Sequence, residues 1–145
     1  MKINNQKKAD FNIDVEREYG WSREDLMKPY IEKELNTKIK KYSNQFEVFD
    51  YYNNNFEIEL KSRRVKHNQY PSTMIGVNKY MKGKKYIEKG KKIFFFFNFT
   101  DGLYMFELKK DTILDIKSGG RCDTGIFKDY CYINIADLTR CENQK

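Results

Sequence analysis

The stretch of chain that decides the fold prediction runs from residue 46 to residue 61 and reads Phe46-Glu47-Val48-Phe49-Asp50-Tyr51-Tyr52-Asn53-Asn54-Asn55-Phe56-Glu57-Ile58-Glu59-Leu60-Lys61. Two strand-like ends flank three asparagines, which are a turn signal. Side chains of a strand alternate between its faces, so Glu59 and Lys61 project on one side and Ile58 and Leu60 on the other. The turn folds Asp50 back towards Glu59. The stretch therefore predicts two carboxylates and an amine on one face of a small sheet.

This set of side chains has a definite chemistry. Two carboxylates supply the oxygen ligands that a hard divalent cation such as Mg²⁺ prefers. A lysine beside them can orient or help to deprotonate a water molecule, or offset the charge that builds up on a phosphate. Asp50, Glu59 and Lys61 are therefore the first candidates for a catalytic site.

A helix is predicted over residues 23–40, with Ser22 as its N-cap and Pro29 either as a kink or as the true start. At 100° per residue its apolar side chains form one broad arc, made of Leu26, Met27, Tyr30, Ile31 and Leu35. Glu34 falls inside this arc, whereas Glu32 falls on the solvated side. A carboxylate in an apolar face needs a partner. A metal site shared with Asp50 and Glu59 would supply one, and so would a neighbouring lysine.

An Asp followed by Glu-x-Lys, with a Glu on a preceding helix, resembles the PD-(D/E)XK nuclease superfamily. The resemblance covers mainly residues 25–61, and Phe49 stands where the name of the family has Pro. It implies a nuclease whose Asp50, Glu59 and Glu34 bind Mg²⁺ or Mn²⁺ and whose Lys61 positions the attacking water. In many members a polar residue on the next helix reaches the site, which makes Lys79 a further catalytic candidate. Small size and an AT-rich compositional bias suggest a phage- or virus-type member.

The remaining elements are predicted from local patterns. Strands at 45–51 and 56–64 precede a helix at 72–82, which starts at Pro71, and a lysine-rich loop at 82–92. Ile93 to Phe99 reads as a strand buried on both faces, and Asp101-Gly102 turns it into a partner strand at 103–108. A short strand or a helix end at 111–116, a loop at 118–125 and a strand at 130–135 complete the chain.

This order, α-β-β-α-β-β with a C-terminal strand, predicts an α/β domain with a mixed central sheet flanked by helices. It resembles the restriction-endonuclease-like core. Residues 1–145 are predicted to form a single domain, in which residues 1–20 either are a frayed extension or contain a short helix at 14–19.

A net charge of +7 favours a polyanionic partner, and nucleic acid is the usual one. Phosphate or base contacts are expected from residues at and after the end of the second strand, from the lysine-rich stretch and from the loop at 118–125. They are Arg63, Arg64, Lys66, His67, Gln69, Lys84, Lys85, Lys91, Lys92 and Arg121. No apolar run reaches the ~20 residues of a membrane span, and the N-terminus lacks a signal peptide, so a cytosol-like location is predicted. A structural zinc site is not expected from three widely spaced cysteines and one histidine.

The primary hypothesis is thus a Mg²⁺-dependent DNA endonuclease. It could be selective for junctions or flaps, or act as a restriction enzyme, and cutting both strands would usually require a homodimer. One alternative is a basic nucleic-acid-binding module without catalysis. This module would explain the charge but not the convergence of carboxylates, which repel phosphate unless a cation lies between them. A viral protein that binds a host factor is the other alternative.

Overall fold

The computed structural model describes residues 26–44, 47–121 and 126–141. Helix α1 occupies residues 26–35 of this part of the chain. The elements that follow are β1 (Lys40–Lys41), β2 (Tyr51–Tyr52), β3 (Phe56–Ser62), β4 (Ser72–Gly76), α2 (Val77–Glu88), β5 (Lys92–Phe99), β6 (Gly102–Leu108), β7 (Asp115–Arg121), β8 (Ile126–Asn134), a 3₁₀ turn (Ile135–Asp137) and β9 (Thr139–Arg140).

The central sheet has the strand order β1-β2-β3-β5-β6-β9. Strands β3 and β5 are parallel and joined by a crossover through β4 and α2, whereas the other neighbours are antiparallel. A smaller sheet has the order β4-β8-β7 and is antiparallel throughout. The described residues therefore form an α/β structure with a mixed sheet, as predicted.

Strand β5 explains how the core is divided. Phe94 and Phe96 pack on one face of the sheet with Ile31 of α1. Phe95 and Phe97 pack on the other face with Ile75 and Ile133 of the smaller sheet and with part of α2. Both faces of β5 are covered, so its sequence shows no polar alternation. The prediction of a strand buried on both sides is confirmed, and so is the turn at Asp101-Gly102, which leads into β6.

The segment after Pro71 was expected to be helical, and this prediction is wrong. Residues 72–76 form β4, which pairs with β8, and the helix begins only at Val77. Thr73 and Ile75 are β-branched, which favours a strand, and Ile75 is buried against Cys131 and Ile133. The gain from this packing outweighs the helix-start signal of the proline.

The lysine-rich stretch was expected to be a loop, but residues 82–88 belong to α2. Gly83 is no helix breaker here because it lies where α2 meets the core. A Cβ on Gly83 would stand 2.9 Å from Leu108 Cδ2 and 3.3 Å from Ile93 Cγ2. The glycine therefore permits a close approach between the helix and the sheet.

Several predicted boundaries also differ. Helix α1 ends at residue 35, and Asn36 follows with a φ of 55°. Strand β2 is limited to Tyr51–Tyr52, β3 ends at Ser62, and β7 includes residues 118–121 of the expected loop. The extension predicted for residues 1–20 lies outside the described residues, as does the N-cap at Ser22. The structure also contains four strands that the expected order lacks, namely β1, β4, β7 and β9.

The apolar arc of α1 packs as predicted through Met27, Tyr30, Ile31 and Leu35, but Leu26 is exposed. Glu32 was expected on the solvated side. Its side chain is instead only 14% exposed, and its Oε2 accepts a hydrogen bond from the Ile39 N–H at 2.9 Å. The turn after α1 folds back onto the helix, and this contact was not visible from helical spacing alone. In the part of the chain that the structure describes, no helix is long and apolar enough to cross a membrane.

Candidate active site

The pairing of β2 with β3 brings Asp50 opposite Glu59. Tyr51 faces Ile58 in the register, and one step further along both strands leads to Asp50 and Glu59. The Asp50 N–H donates to the Ile58 carbonyl at 3.0 Å. Asp50 Oδ2 accepts the Leu60 N–H at 2.8 Å. The Asp50 carboxylate is thereby fixed beside β3, within one residue of Glu59.

The turn between the two strands is stabilised by its own asparagine. Asn53 Oδ1 accepts the backbone N–H groups of Asn55 and Phe56, both at 2.8 Å. This is an Asx turn, in which a short polar side chain closes the loop. The turn signal in the sequence thus sets the register on which the position of Asp50 depends.

Glu59 is a buried carboxylate held by two lysines. Its side chain is only 1% exposed, and Oε2 lies 2.8 Å from Lys79 Nζ and 3.2 Å from Lys61 Nζ. Oε1 is buried and has no hydrogen-bond partner among the described residues. A buried charged oxygen without a partner is costly. One half of this carboxylate is therefore neutralised, and the other half can accept a cation or a donor.

The two lysines reach Glu59 from different elements. Lys61 lies two residues along β3 on the same face, as the alternation predicted. Lys79 lies in the first turn of α2, directly after β4 within the crossover from β3 to β5. The structure therefore brings Glu59, Lys61 and Lys79 into contact, with Asp50 opposite Glu59 on the neighbouring strand.

A cavity of about 540 Å³ opens beside these lysines. Lys61, Arg63 and Lys79 line it, together with Asn78 and Tyr130 among others. Arg63 Nη2 donates to the Met74 carbonyl at 2.7 Å. Burial lowers the pKa of the Arg63 guanidinium, and the negative charge of Glu59 opposes that shift. We call this cavity the basic cavity, since three cationic side chains and one carboxylate, that of Asp129, line it.

Glu34 is not part of this cluster. Its helix packs on the face of the sheet that carries Ile58 and Leu60, opposite to the face of Glu59. The charge of Glu34 acts on Cys141, which follows β9 at the edge of the sheet farthest from β1 and β2. Among the described residues, no group of three or more His, Cys, Asp or Glu side chains is placed to hold a metal ion.

Glu57 is a second buried carboxylate, which the sequence reasoning did not single out. It is fully buried, and its Oε2 lies 2.6 Å from Lys91 Nζ. The Tyr42 hydroxyl donates to both of its oxygens, at 2.8 and 2.9 Å. Burial and the hydrogen bond to Glu57 raise the pKa of Tyr42 well above its usual range. Alternation along β3 could have revealed Glu57, because it shares the face of Glu59.

The lysines predicted to contact phosphate fall into two groups. Lys84 Nζ donates to the carbonyls of Lys109, Lys110 and Thr112 at 2.6–2.9 Å. Lys91 is paired with Glu57. By contrast, Lys85 and Lys92 are exposed. The first two therefore tie α2 and the start of β5 to the rest of the fold, and the other two face solvent.

The segment between β3 and β4, residues 63–71, carries most of the other predicted contacts. Arg64, Lys66 and Gln69 are exposed on it. His67 Nδ1 lies 2.7 Å from Asp101 Oδ2. The side chain of Arg121, at the end of β7, lies outside what the structure describes.

The model of the family described as "Phage putative PDDEXK endonuclease" matches residues 2–141. The chain belongs to this family. The match spans every residue of the cluster around Glu59 and confirms the resemblance that the Asp and Glu-x-Lys pattern indicated. No curated protein and no solved structure matches the chain.

Proposed function

We propose that this protein is a metal-dependent DNA endonuclease that hydrolyses phosphodiester bonds at the cluster around Glu59. The observation that carries the proposal is the state of Glu59. This carboxylate is almost fully buried, one oxygen is neutralised by two lysines, and the other has no partner among the described residues. Membership of a nuclease family and the adjacent basic cavity support the same conclusion.

Asp50 and Glu59 are suited to hold the divalent cation that such a reaction needs. Mg²⁺ is usually held by one or two carboxylates, with water and substrate phosphate oxygens completing its shell. The pair formed by Asp50 and the free oxygen of Glu59 therefore suffices without a third carboxylate. Bound there, Mg²⁺ or Mn²⁺ would supply Lewis-acid activation of a water molecule and of the phosphodiester.

The side chains of the chain itself have separate roles in the proposal. The Leu60 N–H fixes the orientation of Asp50. Lys61, which is 40% exposed and lines the basic cavity, holds the attacking water and stabilises charge on the phosphate. Lys79, which is 18% exposed, pairs with Glu59 and fixes the orientation of its carboxylate. We further propose that α1, β2, β3, α2 and β5 form a restriction-endonuclease-like core around this site.

The test is a cleavage assay with single-stranded, duplex and branched DNA, with RNA of matched sequence, and with Mg²⁺, Mn²⁺, Ca²⁺ or EDTA. We expect cleavage of DNA with Mg²⁺ or Mn²⁺, and binding without cleavage with Ca²⁺. Asp50→Asn and Glu59→Gln should each abolish cleavage and keep the fold, because both changes remove a charged ligand at nearly constant volume.

Glu88→Gln is the matched control, since Glu88 is an exposed carboxylate near the end of α2. It should cut like the wild type. Cleavage in EDTA, or normal cleavage by Glu59→Gln, would show that the reaction does not use this site. Tight DNA binding without cleavage under any condition would favour the non-catalytic binding module instead.

A further inference from the structure

A second cavity lies on the other side of Arg63. It measures about 540 Å³, which is within the usual range for ligand sites. We call it the segment pocket, because residues 63–71 form much of its wall. Arg63 and Met74 line both this pocket and the basic cavity. The two cavities are therefore neighbours that share one wall.

The segment pocket is lined by both apolar and polar or basic side chains. Phe99, Met74 and Ile135 provide apolar surface, while Ser72 and Thr73 add hydroxyl groups. Arg64, Lys66 and His67 add positive or titratable side chains. A nucleobase has apolar faces, polar edges and an attached phosphate, so it matches all three features. Enzymes that bind an extruded base use such apolar and aromatic pockets.

Among the lining side chains, Tyr70 gives the strongest support for a nucleobase as the ligand. It lines the pocket and is 58% exposed, which makes it one of the few large hydrophobic side chains open to solvent among the described residues. Stacking of a base on an aromatic ring stabilises single-stranded nucleic acid and is available to every base. An exposed ring at the mouth of a basic pocket is suited to this contact.

The segment that carries Tyr70 is held in place at several points. The Arg63 N–H donates to the Asn98 carbonyl at 2.9 Å, and the Ile135 N–H donates to the Pro71 carbonyl at 3.0 Å. Asp101 accepts the His67 N–H at 2.9 Å and contacts its imidazole. The His67 ring also stacks on Tyr104 at 4.5 Å. The pocket is thus preformed, which lowers the entropic cost of binding.

Arg63 links the pocket to the candidate active site. Its Nε is buried and has no hydrogen-bond partner among the described residues. An acceptor on a bound nucleotide would satisfy this donor. A strand whose base occupies the pocket would therefore pass Arg63 on its way to Lys61 and Glu59.

We propose that the segment pocket binds one unpaired base of the DNA substrate, stacked on Tyr70, so that the enzyme prefers single-stranded or branched DNA to a fully paired duplex. This inference rests on the proposed function for its substrate. It adds a recognition site that is separate from the residues of the cleavage reaction.

The test uses oligonucleotides that carry the fluorescent base 2-aminopurine, with the full chain in EDTA so that no cleavage occurs. The probe base is placed in a single strand, in a one-base bulge or in a fully paired duplex. We expect the wild type to quench the unpaired probe and to bind the paired duplex more weakly. Tyr70→Ala should lose the quenching and weaken binding of the unpaired probe by roughly tenfold.

Tyr70→Phe keeps the ring and should behave like the wild type. Ile113→Ala is the matched control, since Ile113 is 88% exposed and does not line the pocket. It should leave both signals unchanged. Thermal melts of each variant show whether the fold is intact.

Equal quenching by wild type and Tyr70→Ala would overturn the inference, and so would a preference for the paired duplex. If Mg²⁺-dependent cleavage still occurs in that case, the proposed function stands without the base pocket. If quenching depends on Tyr70 but no DNA is cut with any metal, the base pocket stands and the nuclease proposal fails.

Discussion

Glu59 is held by two lysines that differ in burial, and this difference separates their roles. Lys79 makes the shorter contact, at 2.8 Å, and is the less exposed of the two. Lys61 lies at 3.2 Å and faces the basic cavity. The first is placed to stabilise the buried carboxylate, and the second is placed to meet substrate.

Lys79→Met should therefore lower the free energy of unfolding in EDTA by about 1–3 kcal/mol, because it removes the nearest partner of a buried charge. Lys61→Met should cost less, since Lys61 is farther from Glu59, at 3.2 Å, and its side chain is 40% exposed. Urea titrations of both variants measure the difference. Added Mg²⁺ should restore more stability to Lys79→Met than it adds to the wild type, because a cation replaces the missing ammonium.

The two lysines should also differ in their effects on cleavage kinetics. Lys61→Met should lower kcat far more than it weakens DNA binding, because its contact with the phosphate strengthens in the transition state. Single-turnover cleavage and binding in Ca²⁺ separate the two effects. Equal losses in both would mean that Lys61 acts only in binding.

At the scale of elements, α2 joins the site to the core. Its start supplies Lys79, and Gly83 sits against Leu108 and Ile93. Gly83→Ala adds a methyl group where little space exists. Overpacking costs about 1–3 kcal/mol, and the better helix propensity of alanine offsets about 1 kcal/mol.

We expect Gly83→Ala to lower the free energy of unfolding by up to about 2 kcal/mol, as measured by urea denaturation. Lys85→Ala, on the exposed side of the same helix, should change it by less than about 0.5 kcal/mol. A more stable Gly83→Ala variant would show that Leu108 can move aside at little cost.

Exposure also decides which lysines can meet DNA. The double variant Lys85→Gln/Lys92→Gln should weaken DNA binding alike on all sequences. It should also reduce the slope of log K against log salt by up to about two units, because each of the two lysines neutralises about one phosphate.

Lys84→Gln serves as the comparison, because its ammonium is already engaged by three carbonyls. It should lower stability and leave the salt slope unchanged. An unchanged slope in the double variant would place the phosphate path elsewhere, along residues 63–71.

At the scale of the whole molecule, one buried thiol lies on each face of the central sheet. Cys131 is buried with Phe95 and Ile133, and Cys141 is buried with Ile31 and Leu60. Burial raises the pKa of Cys131. Burial and the charge of Glu34 raise the pKa of Cys141 to about 12, against a smaller opposing effect of Arg140.

A thiol whose pKa is raised in the folded state stays protonated there, while the unfolded thiol ionises near pH ~8.5. Its stabilising contribution is thus present below pH ~8.5 and is lost as the pH rises towards 12. Between pH ~8.5 and 12 the loss for Cys141 approaches about 1.4 kcal/mol per pH unit.

Urea titrations between pH 8 and pH 10 in a Cys122→Ser background measure this loss. Adding Cys141→Ala should make the decline with pH shallower. Equal slopes with and without Cys141 would mean that this thiol ionises in the folded protein.

The sequence by itself determined the features that repeat over a few residues. Alternation placed Glu59 and Lys61 on one face of β3, and the asparagine turn brought Asp50 across from them. The unbroken apolar run of β5 indicated a strand covered on both sides, and the Asp and Glu-x-Lys pattern indicated the family. These signals are local, because a strand or a tight turn is set by neighbouring residues.

The tertiary structure alone decided which distant groups meet. Glu34 lies in the apolar arc as predicted, yet its helix covers the opposite face of the sheet from Glu59. Glu57 takes Lys91 as its partner and Glu59 takes Lys79, although the two lysines look alike in the sequence. Residues 72–76 became a strand because β8 offered a partner. Such choices depend on how helices and sheets bury their apolar faces against one another, and a period of 2 or 3.6 residues does not encode that packing.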